Sequence, residues 1–203
     1  MYKTEQEKFW AGEFGDEYIA RNQGASILAG NLHLFSKVLA RTQCVKSVLE
    51  FGANIGNNLM ALRLLLPGAE LSGIEIHQTA FDMLTKNQFK GYHESLLTFQ
   101  PDYTRDMVLI KGVLIHINPD ELPNVYEKLY QSSHRYILVA EYYNPTPVAI
   151  PYRGHDDRLF KRDFAGEMLE RFNGLQLVDY GFSYRKDVNF PQDDITWFLL
   201  EKK

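Results

Sequence analysis

The chain has 203 residues, 45% of them hydrophobic and 13% aromatic, enough to bury one ordinary core and giving no reason to expect disorder. A formal net charge of -4 makes the surface as a whole repel a phosphate backbone, which argues against a bulk nucleic-acid binder. The single cysteine, Cys44, rules out an intramolecular disulfide or a cysteine zinc cluster. The opening MYKTEQEKFW lacks a signal-peptide profile, and no apolar run approaches the ~20 residues needed to span a bilayer, so the expectation is a cytoplasmic chain with no membrane partner.

Residues 1–42 read as a helical cap whose apolar stripe runs through Ile27, Leu28, Leu32, Leu34, Phe35, Val38 and Leu39. Residues 45–51 then read as a strand, 57–66 as a helix, 70–76 as a strand and 79–87 as a helix, with a short strand near Tyr92. A buried strand follows over 106–112, a helix over 119–132 capped by Asn118 with Pro119 at its first position, and a fifth long strand over 136–142. This alternation predicts a parallel sheet with helices on both faces. Residues 175–184 and 195–201 are two more strands whose short connection permits only an antiparallel hairpin. The expected fold class is therefore α/β: a Rossmann-like three-layer sandwich on a mostly parallel seven-stranded sheet, with one antiparallel strand from the C-terminal hairpin and helices at the N-terminus. The whole chain, 1–203, is expected to form one domain, with a cap over 1–42, a ligand-binding core over 45–142, an insertion on the substrate side over 143–170 and the hairpin over 175–203.

The most informative stretch is SVLEFGANIGNN, residues 47–58. Gly52 and Gly56 can take positive φ and let the backbone approach a ligand at the carboxyl end of the first strand, where open α/β sheets bind. The spacing G-x-N-x-G, with Asn54 in the middle, lacks the third glycine of a dinucleotide fingerprint, and no Lys-Ser or Lys-Thr follows to make a phosphate loop. Glu50 before the turn is the wrong sign for a pyrophosphate and suits a cationic ligand, while Glu75, ending the next strand, stands where a carboxylate can accept both hydroxyls of a ribose.

These residues resemble the class I S-adenosylmethionine-dependent methyltransferases. EFGANIGNN looks like that family's first motif, GIEIH (residues 73–77, with Glu75 and Ile76) like its second strand and ribose-binding acid, and YHES (92–95, with Glu94 and Ser95) like the adenine-side block. RDMVLIKGVLIHI (105–117) is similar to its fourth strand and following turn, which implies that Lys111 and Val113 line the methionine part of the cofactor. The opening FWAGEFGDEYIARN, residues 9–22, looks like a bacterial subfamily associated with pseudaminic acid biosynthesis. The resemblance implies S-adenosylmethionine as cofactor, S-adenosylhomocysteine as product, and a sugar-like small-molecule acceptor.

Methyl transfer is an in-line displacement that rests on positioning, and a hydroxyl acceptor also needs a base. His116, after the fourth strand, is one candidate and a packed or capping histidine the other reading. His155, Asp156 and Asp157 could supply a base or, with Glu141, hold a metal, but three successive residues diverge on any regular element, so no metal is expected. Tyr18, Arg21, Tyr143 and Arg153 are candidates to stack on and pair with a polar acceptor, against the alternative of a lid packed by rings and salt bridges. The competing functions are a cofactor-binding partner without turnover and a methyltransferase acting on protein or RNA.

Overall fold

The structure, a computed structural model, describes residues 2–21, 24–155 and 158–203, apart from the side chains of Ala20 and Arg21. At its centre lies β1 (Ser47–Phe51), where a run of apolar residues has both faces covered. It pairs in parallel with β2 (Glu70–Glu75) on one side and β4 (Arg105–Lys111) on the other. The chain moves outward from β2 to β3 (Lys90–His93) and then crosses back to β4, so the direction of winding reverses between β1 and β4. That reversal opens a crevice at the carboxyl ends of the strands. β5 (Ser133–Glu141) extends the sheet in parallel beyond β4, and the C-terminal hairpin, numbered below as β8 (Leu175–Ser183) and β9 (Ile195–Lys202), completes the order β3-β2-β1-β4-β5-β9-β8, with β9 antiparallel to both of its neighbours. The expected seven-stranded mixed sheet is thus what the chain forms.

Helices cover both faces. On one, Leu34, Phe35 and Val38 of α3 (Ala25–Leu39) and Leu59 and Leu62 of α4 (Asn57–Leu65) pack on Val48, Met107, Leu109 and Leu138. On the other, Val125 and Leu129 of α6 (Leu122–Ser132) and Phe164 and Met168 of α7 (Phe164–Arg171) pack on Leu49, Phe51, Val108 and Ile137. Each such side chain contributes about 1.5–3 kcal/mol by leaving water. α5 (Gln78–Lys86) joins β2 to β3.

Three local departures from the expected elements have physical causes. The helix expected over 119–132 begins as a 3₁₀ turn, Pro119–Glu121, capped by the Asn118 side chain; Pro123, which has no N–H to donate, sits in the first turn of the regular α6. The N-terminal cap is three helices, α1 (Glu5–Trp10), α2 (Glu13–Arg21) and α3, the last starting after Gly24 at φ 132°. Residues 143–170 include a two-stranded ribbon, β6 (Val148–Ala149) and β7 (Phe160–Lys161), too short to announce itself in the sequence. No helix among the described residues is long and apolar enough to cross a membrane.

Candidate functional site

The crevice between β1 and β4 opens into a cleft enclosing about 1230 Å³ of empty space, its open mouth included, ample for a ligand of nucleoside size. The turn after β1 forms its floor. Gly52 takes φ 74° and donates its N–H to Ile74 O at 3.0 Å, bringing the turn against β2. Asn54, also at positive φ, donates its N–H to Glu75 Oε2 at 2.7 Å, while Glu75 Oε1 accepts from His77 N–H at 2.7 Å. Each carboxylate oxygen keeps a further acceptor site, and Glu75 lines the cleft. Burial raises the Glu75 carboxyl above its usual range, against the pull of the His77, Asn54 and Ile76 N–H groups.

A cluster of ionisable side chains occupies the β4 side. Lys111 lines the cleft, and burial lowers its pKa although Glu50, Asp193 and Glu141 all favour the cation. Burial pushes Glu50 up to about 8 and Glu141 to about 7. Glu50 Oε1 accepts from Asn58 Nδ2 at 2.5 Å, and Asn58 lines the cleft. Glu50 Oε2, Asn58 Oδ1 and Asn31 Nδ2 are buried without a hydrogen-bond partner. Glu141 Oε1 accepts the N–H groups of Val113 and Leu114, each at 2.9 Å, and so fixes the turn after β4.

The third wall is aromatic. His116 is 8% exposed, and its Nδ1 lies 2.6 Å from the carbonyl oxygen of Arg158. Burial holds its pKa down at about 4 against that hydrogen bond. Its ring is 4.6 Å from Trp10 and 5.3 Å from Tyr152, and Trp10 in turn meets Phe14 and Tyr18 edge-on. α1 lies across this side: Thr4, Gln6, Glu7 and Trp10 line the cleft, and Glu7 accepts a short hydrogen bond from the Ser95 hydroxyl.

The structure brings together Gly52, Asn54, Glu75, Ile76, Ser95, Lys111, Val113, His116 and Tyr18 as lining residues. Others fall elsewhere. Gly56 at φ 88° starts α4 and backs onto Leu84 and Phe89; it shapes the turn from behind. Glu50 reaches the cleft through Asn58. Ser95, and not Glu94, faces the cleft. Tyr143 is half-exposed and packs on Phe198, away from the cleft, because successive residues leaving β5 point to opposite sides. His155 is exposed beside Phe9, and Arg153 lies over the rings of Phe14 and Tyr152; neither lines the cleft. Arg21's side chain, Asp156 and Asp157 lie outside the described residues. Among the described residues no cluster of three or more His, Cys, Asp or Glu side chains could hold a metal ion.

Sequence reasoning missed the contributions of α1, Asn31 and Asn58. Thr4 and Glu7 are legible as a T-x-x-E capping box, which the structure contains, but nothing local announces the bond to Ser95. The connection between β8 and β9 also folds back: Gln192 Nε2 donates to Asn31 Oδ1 at 3.0 Å, and Asp193 lies close enough to favour the Lys111 cation.

No family model and no curated protein matches the chain by sequence. Solved structures do match it in fold. The magnesium protoporphyrin IX methyltransferase of Synechocystis PCC 6803, solved with bound SAH, superposes with a TM-score of 0.66 at 13% identity, over 97% of this chain and 98% of that one. The glycopeptide N-methyltransferase MtfA, in complex with S-adenosylmethionine, gives 0.64 at 12% identity, over 86% and 94%. The mitomycin 7-O-methyltransferase MmcR gives 0.67 at 14% identity, over 98% of this chain and 61% of that one. The chain has the Rossmann-like fold of these methyltransferases.

Proposed function

We propose that this chain is an S-adenosylmethionine-dependent methyltransferase acting on a small polar metabolite. The observation that carries the reading is the pairing, in one cleft, of a ribose-type acid with a buried zwitterion-sized group of polar atoms. Glu75 ends β2 and Lys111 ends β4, two strand spacings or roughly 10 Å apart. Lys111 and Asn31 Nδ2 offer positive charge and a donor to a carboxylate, while Glu50 Oε2 and Asn58 Oδ1 offer acceptors to an ammonium. An adenosyl group over Glu75 with an amino-acid tail at Lys111 fits both ends, whereas a dinucleotide would bring phosphates toward Glu50. Bound there, the cofactor supplies a methyl group on a cationic sulfur, and the residues around it hold, orient and shield. S-adenosylhomocysteine is the product.

His116, Trp10 and Tyr18 line the wall that would face the acceptor, and Tyr152 packs against His116. Rings of this kind take the flat face of a sugar or a similar ring, and Arg153, over the rings of Phe14 and Tyr152, is our candidate to pair with an anionic tail of the acceptor. The resemblance of residues 9–22 to the pseudaminic acid subfamily supports a nonulosonic-acid-type sugar as acceptor. The lone cysteine fits a cytoplasmic location. Incubation with methyl-¹³C-labelled cofactor and N-acetylneuraminic acid, with glucose as control, tests the acceptor: a new ¹³C-methyl resonance on the acidic sugar alone is expected. Cofactor binding without transfer to any acceptor would favour a binding partner without turnover.

A further inference from the structure

Trp10 and His116 both line the cleft, the first with an indole N–H that has no hydrogen-bond partner, the second with a ring nitrogen left over from its bond to Arg158. The carbonyl oxygen of Arg158 can only accept, so His116 Nδ1 must carry the hydrogen of that 2.6 Å contact. The neutral ring then has a lone pair and no hydrogen at Nε2. Trp10 Nε1, a donor only, is buried and has no hydrogen-bond partner. The two rings lie 4.6 Å apart, both line the cleft, and the other rings against them are those of Phe9, Phe14, Tyr18 and Tyr152. A buried indole N–H left without an acceptor costs stability, which a ligand atom would restore.

On the methyltransferase reading, we infer that the methylated atom is an uncharged hydroxyl oxygen, held between the Trp10 Nε1–H donor and the His116 Nε2 acceptor. The lone-pair count decides for oxygen. An acceptor atom here must receive a hydrogen bond from Trp10, give a hydrogen to His116 and still direct a lone pair at the methyl carbon. A hydroxyl has two lone pairs and one hydrogen, and meets all three demands. An amine nitrogen has one lone pair and cannot both accept from Trp10 and attack; an ammonium has none, and a carboxylate has no hydrogen for Nε2. In the step, the oxygen uses one lone pair to form the O–C bond as the C–S bond breaks with its electron pair remaining on sulfur, and the hydroxyl proton passes to Nε2. The resulting imidazolium keeps Nδ1–H on the Arg158 carbonyl, so charge forms where an acceptor is already placed. Trp10 is then the residue that selects oxygen over nitrogen.

The probes are phenol, anisole and aniline, added to the intact protein labelled with ¹⁵N at histidine and tryptophan. The expected results are a His116 Nε2 resonance of the unprotonated type, shifts of that resonance and of the Trp10 indole N–H on adding phenol, and no shift at Nε2 with anisole, which has no hydrogen to donate. Trp10→Phe should weaken phenol about tenfold. With labelled cofactor, methyl should appear on phenol oxygen and not on aniline nitrogen. A hydrogen found on Nε2, phenol leaving both resonances unmoved, or methyl transfer to aniline in preference to phenol would each overturn the inference. The resonance shifts need no cofactor, so failure of S-adenosylmethionine to bind would remove the methyltransferase reading while leaving the hydroxyl site separately decided.

Discussion

The contact between His116 Nδ1 and the carbonyl oxygen of Arg158, 2.6 Å across 42 residues of chain, fixes which ring nitrogen carries the hydrogen. It ties the turn after β4 to the segment before β7 and joins the cofactor side of the site to its aromatic wall. His116→Ala should lower kcat by roughly 100-fold or more while leaving cofactor affinity within about twofold by calorimetry, since Arg158 and the rings, not the cofactor's polar ends, lose their partner.

The His116 pKa of about 4 also sets a pH dependence. In the unfolded chain the imidazole takes a proton near 6.5; in the folded protein it does not until about 4. The unfolded state therefore binds more protons between these values, and stability falls as pH drops from about 6.5 to 4, by roughly 3 kcal/mol in all. Denaturant midpoints at pH 7 and pH 4.5 should show this loss, and His116→Ala should flatten it.

Glu50 has the opposite sign. Its carboxyl is held up at about 8 by burial, so the unfolded chain gives up its proton first and stability is lost as pH rises from about 4.5 to 8. Glu50→Gln removes that loss and should raise stability at pH 8 by about 1 to 3 kcal/mol. The same change should weaken the cofactor, because an ammonium bound beside Asn58 draws the Glu50 carboxyl to its ionised form and an amide cannot ionise. A variant that melts higher and binds less tightly is the expected pairing.

Gly52 is needed twice over. A Cβ there would lie 2.7 Å from Val113 Cγ2, and φ 74° strains any other residue. Gly52→Ala should cost about 1–3 kcal/mol of folding stability and displace Val113, which lines the cleft. Thermal melting and cofactor titration on the same sample should both report a loss; a larger residue such as valine should not leave the fold untouched.

Lys111→Met tests the tail of the ligand separately from its nucleoside. S-adenosylhomocysteine should bind at least tenfold more weakly to this variant, whereas 5′-methylthioadenosine, which lacks the amino-acid group, should bind as it does to the unaltered protein. Equal losses for both ligands would place the lysine's effect elsewhere.

How much of this was legible in the sequence follows from how local each signal is. Gly52, Asn54 and Glu75 are readable because a strand, a tight turn and a strand-terminal acid lie within a few residues of each other, and the sheet register then brings Glu75 to Asn54. Lys111 is readable because it ends a buried strand. Tyr143, Arg153 and His155 lie in a segment with no periodicity to orient them, and a single residue of strand alternation is enough to send Tyr143 away from the cleft. Trp10, Glu7 and Asn31 reach the cleft only because helices from the N-terminal cap pack across it, a tertiary event that no spacing within residues 1–42 encodes. The hairpin was legible as strands, but not the return of its connection onto α3 through Gln192 and Asn31.

The central claim is that the cleft between β1 and β4 binds S-adenosylmethionine, and calorimetric titration of the unaltered protein tests it most directly, with S-adenosylhomocysteine as second ligand and NAD as control. Saturable binding of the two adenosyl amino acids at one site per chain, with no heat from NAD, is the predicted result. Tight binding of NAD, or none of the three, would contradict the account.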